Sequence, residues 1–185
     1  MKKINMTNVK EAGEFSRPTA GAYICTITDV EDVPAKEYLK ITYDIAEGEF
    51  AGYYAETRAA HPDWTWSGAY VKSYKTKALP MFKRFCTAVS RSNGNYVFDG
   101  GAVNADETTL IGKRVGLLMQ EEEYYSNSGD KRTRLIVSRE FSTDKLAEQK
   151  TPAPKLLKEE PALQTPSGFI NIGASDDDES EVPFD

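Results

Sequence analysis

One histidine and two cysteines in 185 residues leave little room for metal or disulfide chemistry. Cys25 and Cys86 lie in apolar stretches and read as buried thiols of a reducing compartment. His61 precedes Pro62 in a loop, with no Ser or Cys motif to pair with it. A phosphate-binding glycine loop is missing, because Gly100-Gly101 lacks both the helix-opening context and the Lys-Ser/Thr of a P-loop. Glu121, Glu122 and Glu123 are consecutive, and consecutive strand positions point to opposite faces, so they read as solvated acids rather than a metal site. No stretch is long and apolar enough to span a membrane. Met1-Lys2-Lys3-Ile4-Asn5 has no apolar run after its lysines and does not read as a signal peptide. These absences predict a soluble, intracellular binding protein with no cofactor, metal or membrane partner, and not an enzyme.

Two further absences are local. Between Asp63 and Asp99 there is no acid, while Lys72, Lys75, Lys77, Lys83, Arg84 and Arg91 fall in that interval. From Ser175 to Asp185 there is no cation. Asp176, Asp177, Asp178, Glu179, Glu181 and Asp185 together equal the whole net charge of −6, so the residues before them balance at zero. So acidic a segment, with so little apolar surface, cannot offset its ordering entropy and is expected to be a disordered tail. A purely solubilising tail would not need Val182, Pro183 and Phe184 at its tip. They read as a linear motif in which Phe184 enters a partner's pocket and the acids meet a basic rim.

The rest of the chain is patterned mainly as strands. Residues 1–20 are polar and read as a flexible arm. Ala22–Val30 alternates β-branched and aromatic residues, and Pro34 marks a turn. Tyr38–Ile45 alternates cleanly, with Leu39, Ile41, Tyr43 and Ile45 on one face and Tyr38, Lys40, Thr42 and Asp44 on the other. Tyr53–Arg58 reads as a third strand. After a loop at Trp64–Ser67, Val71, Tyr74, Ala78, Phe82, Phe85 and Val89 recur at helical spacing, with Pro80 kinking the helix or starting a second one and Asn93-Gly94 ending it. Lys113–Gln120 and Thr133–Ser138 read as strands joined by a turn at Ser126–Asp130. Five strands with a helix between the third and fourth predict a mainly β, OB-fold-like Greek-key barrel over residues 21–141. The Pro, Lys and Glu content of 142–174 reads as linker, with an apolar island at Gly168–Ile172, before the tail at 175–185.

Sequence-tolerant binding of a single strand needs cations for the phosphates and rings for the bases. Trp64, Trp66, Lys72 and Lys75 offer both, although lysines on a helix are as often a plain solvated face. Two tryptophans in a polar loop have no evident core to fill. In an OB-fold the ligand crosses strands 2 and 3 between the loops that join strands 1–2 and 4–5. That places Tyr38, Lys40, Tyr54 and Arg58 on the binding face, and Tyr124, Tyr125, Lys131 and Arg132 at the last loop. Arg134 points outward on the last strand beside them.

The tip Val182-Pro183-Phe184 after its acids resembles the C-terminus of bacterial and phage single-stranded DNA-binding proteins. There the Phe usually supplies the free carboxylate, whereas here Asp185 follows. The runs Val30–Val33, Glu37–Tyr53 and Ser73–Lys83 are similar to small phage proteins from replication and recombination modules of Gram-positive hosts. The resemblance implies an OB-fold, a place in the host-cell cytoplasm, single-stranded DNA as ligand, and replication or recombination proteins as partners of the tail. A homo-oligomer is compatible with it. The rival expectation is an interaction adaptor that binds a protein through the tail and has no nucleic-acid role.

Overall fold

The computed structural model describes Lys3, Asn5 and residues 17–94, 96–98 and 106–157. The acidic tail, the Gly168–Ile172 island and all the expected partner-binding residues lie outside them. Five strands form one antiparallel sheet in the order β3-β2-β1-β4-β5: β1 Gly21–Val33, β2 Tyr38–Ile45, β3 Ala69–Ser73, β4 Arg114–Tyr125 and β5 Lys131–Phe141. Helix α1 spans Tyr53–Ala60 between β2 and β3, and helix α2 spans Leu79–Ser92 between β3 and β4. No helix among the described residues is long and apolar enough to cross a membrane.

β1 serves two partners. Gly21–Thr26 pair with β4 and Cys25–Val33 with β2, and an irregularity between Ile27 and Asp29 lets the strand bend from one to the other. On β2 the alternation holds, with Leu39, Ile41, Tyr43 and Ile45 all buried. On α2, Phe82, Phe85, Ala88 and Val89 form the buried stripe, and Pro80 sits in the first turn, where its missing N–H costs nothing. Asn93 fastens the other end of α2. Its amide donates to the carbonyls of Val89 and Arg114 and accepts from the Arg114 N–H.

Several expectations fail. Tyr53–Arg58 is a helix, because Asp44 caps it: its carboxylate accepts the N–H groups of Tyr54 and Ala55 at 3.0 and 3.1 Å. Asp44 is consequently buried rather than solvated. The third strand lies later, at Ala69–Ser73, so Val71 and Tyr74 belong to a strand and its exit, and the helix begins only at Leu79, with its buried stripe starting at Phe82. Lys72 faces inward and is buried, and its ammonium lies 2.7 Å from Glu140 of β5. Among the described residues the segment read as linker is partly placed: Thr143–Glu148 form 3-10 turns, and Lys155 bridges to β4.

Candidate nucleic-acid interface

Among the described residues β3 is hydrogen-bonded only to β2, and β5 only to β4, so the sheet has two free edges there. At one end of the gap between them, Lys72 and Glu140 join β3 to β5, with Arg84 of α2 3.9 Å from the second Glu140 oxygen. At the other end lies an open cleft of about 600 Å³, walled by the loop at 63–68, Ala69, Leu135, Tyr124 and Arg134 and floored by Tyr43 and Tyr54. Five of the residues singled out from sequence meet here: Tyr54, Trp64, Trp66, Tyr124 and Arg134.

The loop is held in place by α1. The Arg58 guanidinium donates to the carbonyls of Tyr43 and Ser67 at 3.2 and 3.0 Å, which makes it a loop anchor and not a free cation on a strand face. Gly68 sits at φ +66°, and a Cβ there would come within 2.7 Å of the Tyr54 side chain and the Arg58 guanidinium. Only glycine combines that backbone with that approach. So placed, Trp64 and Trp66 remain 52% and 57% exposed, far outside the core. His61 stacks on Trp64 with ring centres 4.1 Å apart, and the Lys40 ammonium lies 4.9 Å over the Trp66 ring. Each indole therefore has a supporting partner.

Tyr54 was expected on a strand face and is instead a buried residue of α1, stacked edge-on against Tyr43 at 5.1 Å. Burial pushes its hydroxyl up to about 12 and Tyr43 well above the usual tyrosine value, so the cleft floor stays uncharged even in strongly alkaline solution. Burial likewise raises both thiols, Cys86 to about 11, which removes them as nucleophiles at neutral pH.

The hairpin cations are paired. Lys131 lies 3.0 Å from Glu123, Arg132 lies 3.5 Å from Asp130, and Arg134 donates to Glu122 at 2.7 and 2.9 Å while its guanidinium rests 4.9 Å over the Tyr124 ring. Glu122 and Glu123 are thus counter-charges for the hairpin, a role invisible until β4 and β5 are set in register. Among the described residues no group of acids, His and Cys could hold a metal ion. Tyr125 is 65% exposed near the hairpin turn. Tyr38 pairs with Ser73 at the far end of β2, roughly 17 Å along the strand from Tyr43 at about 3.3 Å per residue. Lys75 lies beyond Ser73, so neither Tyr38 nor Lys75 lines the cleft.

Arg17 and Pro18, from the segment read as a loose arm, also line the cleft, and Pro18 is buried. No periodicity marks them, and only the contact with the cleft gives them away. Compared with known proteins, the chain matches no family model and no curated protein.

Proposed function

We propose that this is a single-stranded DNA-binding protein of the phage type its sequence resembles, built on an OB-fold barrel. It coats unpaired DNA without sequence preference during replication or recombination and recruits partner proteins through its acidic tail. The observation that carries the reading is the convergence of Trp64, Trp66, Tyr124 and Arg134 on one open cleft. Exposed rings take bases of any identity, and a guanidinium on the cleft wall takes a phosphate. The strand order and the helix between β3 and β4 support this fold, since they fit an OB-fold opened between β3 and β5, with the Lys72–Glu140 pair across that gap. The adaptor reading draws support from the pairing of Lys131, Arg132 and Arg134 with acids, which leaves the hairpin with little free positive charge.

A titration with labelled oligo-dT at low salt separates the two. Binding accompanied by quenching of tryptophan emission is the expected result. No binding at any salt concentration, with partner capture by the tail intact, would establish the adaptor instead.

A further inference from the structure

Residues 153–157 lie in a run whose prolines mark it as linker, yet they are laid along β4. Beyond Gly21, β1 no longer covers β4, and this strap takes the vacated edge. The Lys155 N–H donates to the Glu121 carbonyl at 2.8 Å, and the Glu123 N–H donates to the Lys155 carbonyl at 2.9 Å. Side chains add to the docking: the Gln120 amide donates to the Ala153 carbonyl at 2.6 Å, and the Leu157 N–H donates to the Glu123 carboxylate at 3.1 Å.

The strap brings a cation to the carboxylate that holds Arg134 at the cleft wall. Lys155 donates to one oxygen of Glu122, while Arg134 holds the other through Nε and Nη2. One carboxylate thus serves two cations, one from the strap and one lining the cleft. With Lys155 in place the three side chains carry one net positive charge. Without it Glu122 and Arg134 cancel, and a phosphate would have to displace the carboxylate to reach the guanidinium. The hydrogen bond from Lys155, followed by that from Arg134, holds the Glu122 carboxyl below its usual value, so it stays charged into more acidic solution than a free glutamate.

We propose that the 153–157 strap is part of the nucleic-acid site and that Lys155 is a positioning residue within it. Lys155 occupies half of Glu122, so the carboxylate can keep Arg134 over Tyr124 without cancelling its charge toward a phosphate. The inference rests on the single-stranded DNA reading of the cleft. It extends the site to a segment that sequence composition assigns to the linker.

The test uses the full chain and oligo-dT titrations across a range of salt. Lys155→Ala should weaken binding several-fold and reduce the log–log salt slope by up to about 0.7, the share of one phosphate on a single strand. Lys155→Arg should restore both. Adding Glu122→Gln to Lys155→Ala should also restore affinity, since no carboxylate then remains to neutralise Arg134. Ending the chain after Lys150 should copy Lys155→Ala, whereas ending it after Leu157 should not. Wild-type affinity and slope in Lys155→Ala, or failure of both rescues, would overturn the role of the strap while leaving the cleft reading intact. Absence of oligonucleotide binding by the unaltered chain would overturn both.

Discussion

Trp64 and Trp66 each have one face supported, by His61 and by Lys40, and are otherwise exposed. A base stacked on such a ring is worth about 1–3 kcal/mol by alanine substitution. Trp64→Ala and Trp66→Ala should each weaken oligo-dT binding by that order and remove part of the emission quench, with little loss of stability. Normal binding by both variants would make these rings packing residues. Gly68 behaves in the opposite way. Its left-handed backbone costs any other residue about 1–2 kcal/mol, and the 2.7 Å approach to Tyr54 and Arg58 adds a clash. Gly68→Ala should lower the denaturant midpoint and shift the tryptophan emission, because the residue that moves is the one that places the loop. An unchanged midpoint would show that the loop is not held there.

At the scale of elements, α1 depends on a side chain from another element. Asp44 accepts N–H groups from Tyr54 and Ala55, which the helix itself cannot satisfy. Asp44→Ala should cost about 0.5–2 kcal/mol, the usual range for a lost N-cap, and Asp44→Asn should recover much of it. The stability difference between the two variants, read from urea unfolding, checks the assignment. The strap carries its own pH dependence. A carboxyl held below its ordinary value contributes stability at pH above its unfolded value and loses it as pH falls through the folded one. Docking of 153–157 through Glu122 and Glu123, both lowered by their cationic and N–H partners, should therefore be complete at neutral pH and lost only below the ordinary carboxylate range. Amide exchange of Lys155 and Leu157 should rise there and not near pH 6.

For the whole molecule, the seam between β3 and β5 matters most. No backbone ladder joins these strands among the described residues, yet Lys72 and Glu140 meet across the gap with side chains 10% and 2% exposed. Removing one member of a buried pair strands the other charge, at a cost of about 3–5 kcal/mol. Lys72→Ala should thus be severely destabilising, while Lys72→Met combined with Glu140→Leu should return close to wild-type stability. Thermal unfolding of the three chains decides between a seam that needs its charges and one that needs only filled volume. The same placement removes Lys72 from the nucleic-acid contacts expected from sequence, since its ammonium is committed inside the fold.

Patterns short enough to be local were legible from the chain alone. The alternation of Leu39, Ile41, Tyr43 and Ile45 on β2 and the stripe of Phe82, Phe85 and Val89 on α2 needed only their own periods. The hairpin turn at Ser126–Asp130 and four of the five strands followed from the same kind of signal, while β3 at Ala69–Ser73 lay inside a segment whose spacing reads as helix. Tyr53–Arg58 carries a strand-like pattern yet forms a helix, because its cap, Asp44, lies ten residues upstream of Tyr54 in another element. The site was half legible. Exposed tryptophans in a polar loop announce themselves, but their meeting with Tyr124 and Arg134 depends on where two sheet edges part. Whether Lys72, Lys131 and Arg134 are free or paired was likewise undecidable, since each partner acid lies at least eight residues away and is brought close only by strand register. Period and propensity act within a few residues of chain; cross-strand pairing, side-chain capping and the docking of the strap act through space, and only the tertiary structure could decide them.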